Sequence, residues 1–298
     1  MTEITLLDGS IGQELVRRRG AKATPLWSTA VMMEAPDLVG TLHRDYFAAG
    51  ATVTTTNTYA VHRSRLARIG EEEQLLPLLD AALTQAKAAQ TAYPGARLAG
   101  ALGPLYASYR PDLKPDPEVA AAAFREIARY MAPHVDLLLP ETVSSVQEAE
   151  GILRGISDLG KPVWIAFSVM DEDGTRLRSG EPLSDVLPLL QTYEVAAVLI
   201  NCSRPEAILP ALAILKTYDL PFGAFANGFD GIAEGFLQDA PTVDALSRRV
   251  DLGPQDYADH AMEWVAAGAT IVGGCCEVGP DHIAELARRL RAAGHRLV

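Results

Sequence analysis

The residues of this sequence best suited to chemistry are its three cysteines. Cys202 follows the apolar run AAVLIN, and Cys275 and Cys276 follow Gly273 and Gly274 at the end of GATIVGGCC. A count that is odd and small argues against a disulfide framework and for reduced thiols. Three thiolates and one open position suit a tetrahedral zinc ion, Zn2+. A substrate thiol entering the open position can lose its proton near neutral pH instead of near about 8.5. With three anionic ligands the metal is a weaker Lewis acid than one held by imidazoles, so the sulfur stays nucleophilic. Neighbours on a regular strand point to opposite faces, but Gly273 and Gly274 permit unusual dihedrals and close approach, so both sulfurs can turn toward one ion. The plain alternative, three small buried hydrophobes, stays open on spacing alone.

Polar residues occupy comparable places. Asp8 ends an apolar run in LLDGS, Asn57 and Tyr59 follow a β-branched run, and Glu141 ends LLLPE. Asp8 and Glu141 together can receive an ammonium group, and the backbone amides at Gly9, Ser10 and Gly12 can bind a carboxylate at a helix start. The competing readings are an N-cap for Asp8, a helix-start carboxylate for Glu141, a strand-end backbone partner for Asn57 and a packing role for Tyr59. The six histidines, His43, His62, His134, His260, His282 and His295, form no close pair or HExxH, and His282 reads as part of the first turn of the last helix. Neither ETVSS nor GGCCEVG is a phosphate-binding loop, so a nucleotide cofactor has no support, and no general base is assignable to a cysteine nucleophile.

What must position these residues is a repeated unit: a short apolar run, then Gly, Pro or polar residues, then an Ala/Leu-rich amphipathic segment. Eight strands are expected, at 4–8, 50–59, 96–102, 135–141, 162–168, 196–201, 221–227 and 268–276. Runs with apolar residues on both faces, alternating with helices such as PEVAAAAFREIARYMAP and PEAILPALAILKTY, indicate a parallel sheet covered by helices. Eight units in about 300 residues fit an α/β protein of the TIM (β/α)8-barrel class, with 1–298 as one domain. In a barrel, strand ends converge on one rim, so the cysteines can meet. Ser10 is expected to cap the first helix, which Gly12 and Gly20 weaken. The piece from 231 to 257, interrupted by Pro241 and Pro254, reads as a long connection with a short helix.

The 298 residues are 48% hydrophobic and 21% charged, enough for one large core. The net charge of −12, from 38 acidic and 26 basic residues, repels phosphate backbones and makes nucleic acid a poor partner. The arginine groups Arg17 to Arg19 and Arg288, Arg289 and Arg291 read as solvated helix faces. No stretch approaches the roughly 20 apolar residues of a membrane span, and MTEITLLDGS is not a secretory signal. The expectation is a cytoplasmic enzyme of undetermined oligomeric state.

At this point the pattern resembles the homocysteine S-methyltransferase family, across nearly the whole chain. The landmarks are LLDGSIGQEL, TTTNTYAV, ALGP at 101–104, PET at 140–142, INCSRPEAI at 200–208 and GGCCEVGPDHI. The resemblance implies zinc held by Cys202, Cys275 and Cys276, homocysteine as the incoming thiol, a small sulfonium or ammonium compound as methyl donor, and methionine as product. Asp8 and Glu141 resemble the family's contacts to the homocysteine amino group, Gly9 belongs to the same loop, and Asn57 and Tyr59 resemble pocket-lining residues. Two stretches depart from the pattern, Glu277-Val278-Gly279 and Gly228-Phe229-Asp230, and bear on the donor side. The length disfavours multidomain cobalamin-dependent relatives and leaves little room for the extension of betaine-using ones, so S-methylmethionine leads as donor. The alternatives are a related zinc thiol or selenol methyltransferase with another donor or acceptor, and a barrel that binds zinc and an amino acid without turnover.

Overall fold

The structure is a computed structural model describing residues 2–20, 26–232 and 246–298. In chain order its elements are β1 (Glu3–Leu6), α1 (Ile11–Arg19), α2 (Ser28–Glu34), α3 (Pro36–Ala49), β2 (Val53–Thr55), α4 (Arg63–Leu66), α5 (Leu75–Thr91), β3 (Arg97–Leu102), α6 (Pro117–Met131), β4 (Leu137–Pro140) and α7 (Val146–Ile156). They continue with β5 (Trp164–Phe167), α8 (Leu187–Thr192), β6 (Ala197–Asn201), α9 (Pro205–Leu215), β7 (Phe222–Phe225), α10 (Pro254–Ala267), β8 (Ile271–Val272), α11 (Pro280–Ala292) and β9 (Arg296–Leu297).

The strands pair in parallel as two sheets, β5-β6-β7-β8-β1-β9 and β2-β3-β4. Two seams join them. Leu7 bridges Val53 and Leu138 bridges Val163, both parallel, so the first eight strands each neighbour the next and β8 returns to β1. This is the expected eight-stranded α/β arrangement. A ninth strand, which the sequence did not suggest, adds to the lower half of β1 through Glu3 and Ile4.

Residue parity explains why the runs are apolar throughout. Leu7, Val53, Ala99, Leu139, Ala166, Leu199, Phe225 and Ile271 form the inner cluster, while Leu6, Leu98, Leu138, Ile165, Val198, Ala224 and Val272 join the cluster beneath the helices. Side chains alternate with period two, so every position on a covered strand is buried on one side or the other. Each fully buried Leu, Ile or Val contributes about 1.5–3 kcal/mol. The helices close the outer layer with local chemistry: Asp116 caps α6 by accepting from the Glu118 amide at 2.9 Å, and Ser145 caps α7 by accepting from the Glu148 amide at 3.1 Å. Ser10 occupies the N-cap of α1, but its side chain makes no capping bond.

Several boundaries differ from the sequence reading. The β2 strand is three residues long because the threonines after it spend their polar groups locally. Thr58 N donates to Thr56 O at 2.8 Å, and Thr58 Oγ1 donates to Ala101 O at 2.6 Å. Pro254 does not interrupt a connection but opens α10 at its first turn, where a missing amide costs nothing. Pro241 and the span 233–245, part of the 231–257 connection expected to include a short helix, lie outside the described residues. Arg17, Arg18 and Arg19 are ion-paired to Glu14, Asp45 and Glu34, and Arg288 and Arg289 to Glu285. Among the described residues, no helix is long and apolar enough to cross a membrane.

Candidate active site

At the C-terminal rim of the strands lies a cavity of about 220 Å³. Its lining includes every expected metal ligand and substrate contact: Asp8, Gly9, Asn57, Tyr59, Glu141, Cys202, Cys275 and Cys276. On β6 the inward positions are 197 and 199, so by parity Cys202 should face the helices. It faces the cavity because its backbone is left-handed, φ 49°. That conformation is uncommon for a residue with a Cβ and marks a constrained site.

The constraint comes from the loop after β5. Arg178 Nη2 and Ser168 Oγ both donate to the Cys202 carbonyl, at 3.1 and 3.2 Å. The Arg178 guanidinium is itself gripped by Asp171 through bonds of 2.9 and 3.0 Å and lies 5.1 Å from the Tyr109 ring centroid. Asp171 also accepts from the Arg204 amide at 2.9 Å. Arg178→Met would leave the Asp171 carboxylate buried and short of its cation. We expect a loss of about 3–5 kcal/mol of stability, read as a fall in Tm, with Arg178→Met/Asp171→Asn recovering much of it.

Cys275 and Cys276 lie beyond β8, in a turn closed by Val278 N donating to Cys275 O at 3.1 Å. Gly273 and Gly274 do not adopt left-handed dihedrals; their service is close approach. A Cβ on Gly274 would sit 2.1 Å from Val278 Cγ1, and one on Gly273 would sit 2.5 Å from Leu7 Cβ. Gly9 is required for the same reason: its Cβ would fall 2.0 Å from the Val278 carbonyl oxygen. That carbonyl accepts from Ser10 N at 2.9 Å, so the Ser10 amide is not available to a ligand carboxylate as the sequence had suggested. Gly9→Ala is expected to push the cysteine turn away from the first loop, costing about 1–3 kcal/mol, with a lower Tm and weaker metal retention as the measurements.

All three sulfurs lie within 4.8 Å of one another. Cys202 and Cys275 are joined as a disulfide across 73 residues, with Cα atoms 5.9 Å apart, and Cys276 is the free thiol beside them. The expectation of three reduced thiols is thus met here by Cys276 alone. The donor set fits a metal nonetheless: sulfurs about 2.3 Å from a tetrahedral ion are roughly 3.8 Å apart, a spacing the reduced trio can reach without moving its strands. Burial, with Glu277 and Glu141 nearby, pushes the Cys276 thiol up to about 12. A thiolate at that position therefore calls for a cation against it.

The same cavity holds two carboxyls. Asp8 accepts from Thr55 N at 2.7 Å and from Thr55 Oγ1 at 3.1 Å, and Glu141 Oε2 accepts from Asn201 Nδ2 at 3.3 Å. Neither caps a helix: Ser10 and Ser145 hold those places. Burial raises Asp8 well above the usual carboxylate range against the pull of the Thr55 bonds, with Glu141 adding repulsion, and burial alone raises Glu141 to about 8. Two such groups at one cavity wall disfavour a second negative charge and favour a ligand cation.

Aromatic side chains form much of the remaining lining. Trp27 and Tyr59 meet edge to face, centroids 5.7 Å apart, and Tyr106, Tyr109, Phe225 and Phe229 line the same space. Tyr59 OH shares a 2.7 Å bond with Ser108 Oγ, whereas the Asn57 amide donates to Ser28 O at 3.4 Å and so is partly spent on the scaffold. Of the two atypical stretches, Phe229 reaches the cavity while Asp230 is exposed. Glu277 turns outward to accept from Gln13 Nε2 at 2.9 Å and to pair with Arg248 at 3.4 Å. The Gln13 carbonyl in turn accepts from Trp27 Nε1 at 3.1 Å, tying the cysteine turn to the aromatic wall.

Sequence reasoning missed Trp27, Thr55, Asn201 and Arg178. Parity along AAVLIN pointed to Asn201, and the inward register of Val53 to Thr55. Trp27 and Arg178 stand in irregular segments with no such signal.

Residues 5–290 match the model of the homocysteine S-methyltransferase family. The chain belongs to that family. It is 31% identical to the homocysteine S-methyltransferase of Escherichia coli strain K12 over 309 residues, covering 96% of this chain and 95% of that one. It is 27% identical to the homocysteine S-methyltransferase YbgG of Bacillus subtilis strain 168, covering 97% and 95%. The crystal structure of the homocysteine methyltransferase MmuM from Escherichia coli in its metallated form superposes with a TM-score of 0.80, at 30% identity and 96% coverage of each chain. That relative is a metallated form, and in this homocysteine S-methyltransferase family member Cys202, Cys275 and Cys276 make a cluster able to hold a metal ion.

Proposed function

We propose that this barrel, read as one domain, catalyses zinc-dependent transfer of a methyl group from S-methylmethionine, or another small sulfonium or ammonium donor, to the thiol of homocysteine. The observation that carries the reading is the convergence of three cysteine sulfurs within 4.8 Å on a cavity that also holds two buried carboxyls and an aromatic wall. Cys202, Cys275 and Cys276 would hold the zinc, which when bound supplies the positive charge that lets a thiol exist as a thiolate near neutral pH.

The chain's own groups do the rest. Asp8 and Glu141 receive the homocysteine ammonium and so fix the direction of its side chain toward the sulfurs. Trp27 and Tyr59 present ring faces and edges to a methyl-bearing cation, with Asn57 holding the Ser28 turn beside them. The acceptor sulfur forms the new S–CH3 bond while the donor's C–S bond breaks and its electron pair stays on the departing sulfur. A cationic sulfonium thereby becomes a neutral thioether, the thiol proton passes to solvent, and with S-methylmethionine both products are methionine. Apolar walls exclude water that would compete for the methyl group. The acidic surface fits a cytoplasmic setting without nucleic acid partners.

The test is methionine formation by reduced, zinc-loaded protein with homocysteine and, in parallel, S-methylmethionine, S-adenosylmethionine or betaine. S-methylmethionine should give the fastest reaction. No methionine from any donor, at verified stoichiometric zinc, would reject the reading in favour of a binding role.

A further inference from the structure

The cavity has opposite electrical character at its two ends. Its inner end carries Asp8, Glu141 and the cysteines; its outer end carries Arg65 and Arg68, from the segment that follows β2. Arg65 is held rigidly. Its Nε and Nη2 both donate to the Pro104 carbonyl, at 3.2 and 2.8 Å, and its guanidinium carbon lies 5.6 Å from the centroid of the Tyr59 ring. Those contacts leave Nη1 uncommitted among the described residues.

No described carboxylate forms an ion pair with Arg65 or Arg68, although this is an acidic protein. Their neighbours behave differently: Arg63 is paired with Glu126 and Arg110 with Asp112. The carboxyl that Arg65 does feel is Glu148, but Glu148 Oε2 is spent on the Ser144 amide at 2.7 Å and burial pushes that carboxyl up to about 7. Burial and the like charge of Arg68 both depress the basicity of Arg65. A fixed guanidinium, desolvated at the edge of a cavity and facing a second one, is poised for an anion, and a planar fork matches the geometry of a carboxylate.

Resting on the reading of the cavity given above, we propose that Arg65 and Arg68 form a carboxylate subsite at its mouth that anchors the carboxylate of the methyl donor. The subsite selects amino-acid sulfonium donors over methylated cations that lack a carboxylate. The donor would then span the cavity, carboxylate outward and methyl inward, while Asp8 and Glu141 remain for the acceptor.

Calorimetric titration of S-methylmethionine and of its carboxyl methyl ester into reduced, zinc-loaded protein separates the possibilities without requiring turnover. The native protein should bind the ester about tenfold or more weakly. Arg68→Gln should weaken S-methylmethionine by a similar factor, bring it level with the ester and leave homocysteine affinity unchanged, and Arg68→Lys should recover part of the loss. Arg65→Gln should act in the same direction, with homocysteine binding as the control that the cavity is intact. Equal binding of acid and ester by the native protein, or unaltered S-methylmethionine affinity in both arginine variants, overturns the subsite. A loss confined to homocysteine overturns its assignment to the donor. Failure of the catalytic reading would appear separately, as arginine-dependent donor binding in a protein that forms no methionine.

Discussion

Serine in place of Cys202, Cys275 or Cys276 is expected to strip the metal from the protein on dialysis and to remove methyl transfer with it. A serine hydroxyl keeps its proton where a cysteine bound to a metal gives it up, so each change removes one anionic ligand of three. Replacing groups that merely support metal ligands typically costs 10–100-fold in metal affinity or activity. Loss of a direct ligand should exceed about 100-fold. The measurement is zinc content by elemental analysis beside the rate of methionine formation, on protein kept reduced. Because burial holds the Cys276 thiol near 12 in the absence of a cation, metal uptake must displace its proton, and zinc affinity should fall as the pH is lowered. Full zinc retention and native rates in all three variants would sink the site.

Glu141→Gln should weaken homocysteine binding by about 2–5 kcal/mol, roughly 30-fold or more, while leaving zinc content alone. Glutamine keeps an oxygen to accept from Asn201 Nδ2, so the effect reports the charge and not the scaffold. The pH dependence has a definite sign. Burial raises the Glu141 carboxyl to about 8, so at pH 7 it is mostly protonated in the empty cavity. An ammonium ligand binds the ionised form, hence homocysteine affinity should rise as the pH rises through 8, with release of a proton. In Glu141→Gln the part of the slope due to this carboxyl should be lost, leaving the proton given up by the homocysteine thiol at the metal and any share from Asp8. Calorimetry in two buffers of different ionisation heat would count the proton; an identical affinity and slope in the variant would exclude the role.

The barrel was legible because burial on both faces leaves its mark at every strand position. Leu199 and Val198 are adjacent, point opposite ways, and are both fully buried. The same logic placed Asp8, Glu141 and the cysteines at one rim. What the sequence could not show is how the chain turns after the strands end. Cys202 enters the cavity through a left-handed backbone that INCS does not announce, and the Arg178 and Asp171 that sustain it lie in MDEDGTRLRSGE, which reads as an ordinary solvated loop. Of the two services expected of Gly273 and Gly274, unusual dihedrals and close approach, the structure realises the second, against Leu7 at the end of the first strand and Val278 four residues on. Strand lengths were overstated wherever threonine or glycine followed, because hydroxyls and bare backbone form turns as readily as they form sheet.

The two seams give the enzyme a mechanical division. Cys202, Cys275, Cys276 and Asp8 follow strands of the larger sheet, whereas Asn57, Tyr59, Arg65 and Glu141 follow strands of the smaller one. Between the sheets the ladder narrows to isolated bridges, Leu7 with Val53 at one joint and Leu138 with Val163 and Val143 with Phe167 at the other, supported by few backbone bonds. Such joints are where local opening is least costly. The sulfurs and Asp8 therefore sit on one side of the joints and Asn57, Tyr59, Arg65 and Glu141 on the other, so any opening there changes the distance between the two groups and not the spacing within either. Hydrogen exchange should be fastest along those two joints, and filling the cavity should slow it there more than anywhere within either sheet.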